Sequence, residues 1–132
     1  MGITTEDRLA IGELLAMHGH LCDSGELDRL SEVFTTDVTY DITDLGQDPL
    51  IGVEALAAAG RALGEGNPVG HHITNIVVTE HDGQIHARSK GIGINADGTS
   101  ASVTYEDTLI RTGNGWRISY RKILARRAPL GG

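Results

Sequence analysis

The sequence predicts an α+β domain: a cone-shaped α+β barrel, with three N-terminal helices packed on a strongly curved, mostly antiparallel sheet around one pocket. Three observations lead there. Apolar residues recur at helical spacing through much of the first half of the chain. From His71 onward the pattern turns β-branched and is cut by Asp-Gly and Asn-Gly turns. Gly91 and Gly93 fall inside one of those strands, where a sheet can bend sharply.

The elements follow in order. Thr4 or Thr5 caps a first helix, with Glu6 and Asp7 facing the positive end of its dipole. Ile11, Leu14, Leu15, His18, Leu21 and Cys22 form its buried stripe, and Asp23-Ser24-Gly25 ends it. A short second helix buries Leu27, Leu30, Val33 and Phe34 and breaks at Thr36-Asp37. Val38–Ile42 reads as a strand, and Val53–Leu63 as an Ala-rich helix stopped by Gly64-Glu65-Gly66-Asn67-Pro68. Four long strands follow, over His71–Thr79, Ile85–Asn95, Ala101–Arg111 and Gly115–Leu124. Tight turns at Asp82-Gly83, Asp97-Gly98 and Asn114-Gly115 join them into consecutive hairpins. Residues 1–127 form one domain, and 128–132 read as a loose tail.

Composition narrows the function classes. The 132-residue chain carries a formal charge of −7, which argues against a nucleic-acid footprint. Arg117, Arg121, Lys122, Arg126 and Arg127 cluster near the end; they read as a basic edge strand that repels strand addition or pairs with acidic helices. No apolar run approaches a membrane span, and the N-terminus lacks a signal pattern. The single cysteine, Cys22, excludes an intrachain disulfide and makes a reducing cytoplasm the simplest home.

Several strings resemble the SnoaL-like group of the nuclear-transport-factor-2-like superfamily, which includes scytalone dehydratase, bile-acid dehydratase, ketosteroid isomerase and polyketide cyclases. They are Asp23-Ser24-Gly25-Glu26-Leu27-Asp28-Arg29-Leu30, then His71-His72-Ile73-Thr74-Asn75, then Tyr105-Glu106-Asp107-Thr108-Leu109-Ile110-Arg111 with Gly115-Trp116-Arg117-Ile118 and Arg121. The resemblance spans roughly Asp7 to Arg121. It implies a catalytic pair in which Asp23 hydrogen-bonds His71 and raises its basicity. An imidazole that accepts and returns a proton suits dehydration, isomerisation and cyclisation. The resemblance also implies a homodimer through the outer face of the sheet.

Read from the helical wheel alone, Asp23 lies off the apolar stripe and is a helix stop; the resemblance places it in the pocket, and unwinding of the last turn would reconcile the two. His18 sits mid-stripe, either as a satisfied core histidine or, by its match to a functional polar position of relatives, as a second acid or substrate contact. Asn75 shares the strand face of His71 on simple alternation and is a candidate substrate contact. Arg121 is, by its match to a position of relatives, a substrate- or anion-stabilising residue or, read alone, an exposed edge-strand arginine. Tyr40 and Tyr105 are candidates to line the cavity or fill the core. The histidines show no metal-ligand spacing, so no metal and no cofactor are expected.

Departures from relatives limit the reaction. Cys22 and Ile42 stand where scytalone dehydratase carries two water-positioning tyrosines, and Ser89 falls near its second histidine. The expectation is a cofactor-independent lyase or isomerase acting on a small hydrophobic substrate such as a polyketide, steroid or terpenoid. The alternatives are a ligand-binding or interaction module of the same fold and a structural oxygenase subunit.

Overall fold

The computed structural model describes residues 2–131. Helix α1 spans Thr5–Asp23, and a 3-10 helix follows over Leu27–Glu32. Strand β1 covers Phe34–Asp41, β2 is the two-residue Leu50–Ile51, and α2 spans Val53–Leu63. The hairpin strands are β3 (Gly70–His81), β4 (Gln84–Ile94), β5 (Ser100–Thr112) and β6 (Gly115–Arg126). Pro129–Gly131 form one further turn; Gly132, the last residue of the expected tail, lies outside the described residues.

Local chemistry explains the boundaries. The Thr4 hydroxyl accepts the Asp7 N–H at 3.0 Å, and the Asp7 carboxylate accepts the Thr4 N–H at 3.0 Å. This reciprocal cap satisfies two otherwise orphaned donors at the start of α1. Asp7 also pairs with Arg111 and accepts the Trp116 indole N–H at 3.3 Å, which pins the helix start to the β5–β6 hairpin. These donors, the Thr4 N–H foremost, hold its carboxyl well below the usual carboxylate range. At Asp82-Gly83 both residues take positive φ (51° and 76°), the geometry that a two-residue hairpin turn requires.

Four sequence expectations are corrected. Phe34 opens β1 instead of closing a helix, and Thr36-Asp37 continue that strand; pairing of β1 with β6 supplies bonds that local propensity does not foresee. The short strand β2, absent from the sequence reading, pairs antiparallel with β1. The sheet runs β2-β1-β6-β5-β4-β3, so β6 is central and its basic residues do not form an edge strand. Its partner β1 lies parallel to it, a non-local pairing invisible to hairpin logic. The sheet is also open, because β2 and β3 remain at its two edges and do not pair with each other. Helix α1 packs against β3, so the architecture is an open curved sheet with helices against it.

One aliphatic core joins α1, the 3-10 helix, α2 and the inner face of the sheet, built on Ile11, Leu15, Leu30, Val33, Phe34, Val38 and Ile118. The mid-strand glycine Gly91 makes room for a ring: a β-carbon there would lie 2.5 Å from Tyr105 Cε2.

Candidate active site

Helix α1 remains helical through Asp23, and the Ser24 N–H bonds the His20 carbonyl at 3.0 Å. Asp23 therefore reaches the site without the unwinding that the apolar wheel called for. The cause is a second helical face. Gly12, Ala16, Gly19 and Asp23 fall at spacings of four, three and four residues, which puts them on one side of the helix. At Gly19 that side meets the start of β3 so closely that a β-carbon would lie 2.7 Å from the His71 carbonyl oxygen.

Close approach brings Asp23 and His71 together. His71 Nδ1 lies 2.6 Å from Asp23 Oδ1, and the His71 backbone N–H donates to Oδ2 at 3.1 Å. A carboxylate held at both oxygens fixes the ring, and an ionised carboxylate only accepts, so the shared proton belongs on Nδ1. The opposite nitrogen, Nε2, is then left with a lone pair. The pair stays reachable, with side chains 19% and 28% exposed. His72 points the other way and is exposed, as alternation requires.

A second polar group lies deeper. Asp107 and Arg121 face each other across β5 and β6 and are fully buried. Arg121 Nε donates to Asp107 Oδ1 at 2.7 Å and Nη2 to Oδ2 at 2.9 Å, a bidentate fork. Arg121 Nη1 lies 3.0 Å from His18 Nδ1. Burial opposes the guanidinium charge, but Asp107 overcomes that cost and holds Arg121 charged. Burial first, and then Arg121 and His71, push the His18 pKa well below its ordinary value. The guanidinium stacks over Tyr105, 4.1 Å from the ring centroid.

Arg121 is thus neither exposed nor on an edge. The β5–β6 register shifts between Thr108 and Leu109, where β6 carries an extra residue between Ile118 and Tyr120. That bulge at Ser119 makes both Ile118 and Arg121 face inward although they are three residues apart. Asn75 is the mirror case. The β3–β4 register shifts between Thr74 and Val77, Asn75 takes φ 57°, and it is exposed, while Val78 is buried. Asn75 therefore does not share the face of His71; asparagine tolerates the left-handed conformation that the bulge needs.

Tyr40 is level with Arg121 in the β1–β6 register, and burial, then Tyr105, pushes its hydroxyl pKa up. Tyr105, Ile42 and Ile123 form a small second apolar cluster with Tyr40, Leu50, Ile73 and Val103 partly buried against it. These residues lie at the end of the sheet where β3 begins, as does His71. Asp107 and Gly19 were not singled out as site residues; the small-residue face of α1 is the signal that could have found Gly19. Ser89 Oγ is fully buried and has no hydrogen-bond partner among the described residues.

Phe34, Tyr105 and Arg121 occupy the interior beside His18. Concavities of about 520 and 570 Å³ lie on the outer sheet face around His86, Arg88 and Tyr120, and between α1 and β3 around Gly12 and Val77. No group of three or more His, Cys, Asp or Glu side chains among the described residues converges to hold a metal ion. No helix among them is long and apolar enough to cross a membrane.

Comparison with solved structures places this chain in a known fold. A protein of Novosphingobium aromaticivorans described as nuclear-transport-factor-2-like with a cystatin-like fold is 30% identical, with 95% of this chain and 85% of that chain covered and a TM-score of 0.78. A candidate aromatic ring hydroxylase of the same organism is 26% identical, with 96% and 94% covered and a TM-score of 0.77. A candidate scytalone dehydratase, also from that organism, is 17% identical over 94% and 89%, with a TM-score of 0.69, and supports the fold alone. No curated protein matches the chain significantly. Residues 4–122 match the SnoaL-like domain, nearly the whole chain, and the protein belongs to that family.

Proposed function

We propose that the protein is a cofactor-independent enzyme in which Asp23 and His71 transfer a proton on a small hydrophobic substrate. The observation that carries this reading is the 2.6 Å contact of His71 Nδ1 with Asp23 Oδ1, which leaves Nε2 as an oriented base. The carboxylate stabilises the imidazolium that forms when Nε2 takes a proton, and the ring then returns it. Return to a different carbon gives isomerisation; attack of the carbanion on a second carbonyl of the substrate, with the proton delivered to the resulting alkoxide, gives ring closure; and delivery to a departing hydroxyl, lost as water, gives dehydration. The apolar residues Ile42, Ile73 and Ile123 at the same end of the sheet suit a hydrophobic substrate. Replacing His71 by Ala in a folded protein is expected to lower turnover by orders of magnitude on a substrate found by screening ketides, steroids and terpenoids. Undiminished turnover overturns the proposal.

A binding-only role is the second reading, favoured by the concavity of about 520 Å³ on the outer sheet face around His86, Arg88 and Tyr120, which His71 does not line. It predicts tight ligand retention that His71→Ala does not alter.

A further inference from the structure

We propose that Asn114 is a self-modification site: the Gly115 backbone nitrogen displaces its side-chain amide as ammonia, and water opens the resulting succinimide to aspartate or isoaspartate. The isoaspartate form then loosens the hold of the β5–β6 hairpin on α1. This inference is independent of the Asp23–His71 reading.

The turn puts the reactive pair together. Asn114 and Gly115 lie at the tip of the β5–β6 hairpin, where Thr112 pairs with Gly115. Gly115 takes φ 105°, which a side chain rarely adopts, so the turn itself calls for glycine after the asparagine. Glycine also leaves its own nitrogen uncrowded for attack on the neighbouring side chain. Asn114 is exposed and bonds through its backbone only. Its N–H donates to Thr112 Oγ1 at 3.1 Å, and its carbonyl accepts from Arg117 Nη1 at 3.3 Å. The side-chain amide has no partner among the described residues, so nothing holds it off the backbone.

Arg117 assists the step. Its guanidinium lies on the carbonyl of the same peptide group whose nitrogen attacks. Negative charge spreads onto that oxygen as the Gly115 nitrogen loses its proton, and the cation stabilises it. The new bond joins that nitrogen to Asn114 Cγ. The bond from Cγ to the side-chain nitrogen breaks, and that nitrogen departs as ammonia with the proton. Water then cleaves either carbonyl of the ring, and no other reactant is needed.

The other asparagines each lack a requirement. Asn67 donates its amide to the Gly60 and Gly64 carbonyls, both at 2.8 Å, and Asn95 donates to Thr99 Oγ1 at 3.0 Å. Pro68 after Asn67 has no N–H, and the β-branched Ile76 crowds the nitrogen after Asn75. Asp82 and Asp97 also precede glycines, but a carboxylate resists attack by an anionic nitrogen.

The two products differ in reach. Aspartate keeps the length of the main chain, whereas isoaspartate adds a carbon to it at the turn. Arg111 and Trp116 flank that turn and together hold Asp7, at the start of α1. Lengthening the turn between them strains both contacts.

The test incubates the protein in oxygen-18 water at about pH 7 and about pH 9, then digests it in ordinary water for mass spectrometry. Heavy oxygen marks only the conversion that occurred in the folded protein. Asn114 is expected to convert at least about tenfold faster than Asn67, Asn75 or Asn95, and faster at the higher pH because the attacking nitrogen must lose a proton. Arg117→Gln is expected to slow it severalfold. The chromatographically resolved isoaspartyl form is expected to melt below the Asn114→Asp protein. An Asn114 that stays intact, or converts no faster than the other three, overturns the assigned site. An unchanged rate in Arg117→Gln overturns the assistance, and equal melting temperatures overturn the effect on α1.

Discussion

Gly19 of α1 meets the carbonyl of His71 at a distance that leaves no room for a side chain: a β-carbon would lie 2.7 Å from that oxygen. The obstacle is backbone, so it cannot rotate away. Gly19→Ala is expected to push α1 from β3, lengthen the Asp23–His71 contact and lower turnover at least tenfold. The overpacking itself costs about 1–3 kcal/mol. Denaturant unfolding with turnover on the same samples checks it; full activity in the variant would show that the approach is not needed.

Asp23→Asn keeps the shape of the pair but replaces the carboxylate that, in the proposed mechanism, stabilises the imidazolium. Turnover is expected to fall roughly 10²- to 10⁴-fold with little change in KM. A larger effect on KM than on kcat would assign Asp23 to substrate binding.

Removing one member of the Asp107–Arg121 pair strands the other in the core. Asp107→Ala is expected to destabilise the fold by about 3–5 kcal/mol. Replacing both together, Asp107→Leu with Arg121→Met, should recover most of that loss, since paired removal leaves no uncompensated charge. Urea unfolding of the three proteins decides it; equal losses in the single and double variants would show that the pair is not coupled.

His18 makes stability pH-dependent in a definite sense. Its folded pKa lies well below the ordinary histidine value of about 6.5, so the unfolded chain takes up a proton that the folded one refuses. The stabilisation is fully present above about pH 6.5 and is lost as the pH falls below it, by up to about 1.4 kcal/mol per pH unit. Melting temperatures between pH 8 and pH 5 should show the decline, and His18→Phe should flatten that part of the profile. An unchanged slope in the variant would assign the acid loss to other groups.

Burial foremost, and then Asp23, pushes the Cys22 thiol pKa up to about 11. Only about a thousandth of the thiol is ionised at pH 8. Alkylation by iodoacetamide should be on the order of a hundredfold faster in denaturant than in the folded protein. Comparable rates would place Cys22 in solvent.

The local chemistry of the sequence determined the helices, the hairpins and the α+β class. The Thr4–Asp7 cap, the spacing of Ile11, Leu15 and His18, and the Asp82-Gly83 turn act through neighbours a few residues away, which a one-dimensional pattern records. Asp23 and His71 were legible as a pair only through resemblance, because the apolar wheel turned Asp23 away from the core. What the tertiary structure alone decided was which strand residues face inward and which strands are neighbours. Side chains alternate with a period of two, so one extra residue reverses the face of everything beyond it. The bulge at Asn75 turned that residue out, and the bulge at Ser119 turned Arg121 in toward Asp107 and His18. A bulge exists only relative to the partner strand, as does the parallel pairing that made β6 central. Those partners lie far away in sequence, and chain folding has to bring them together before either fact exists.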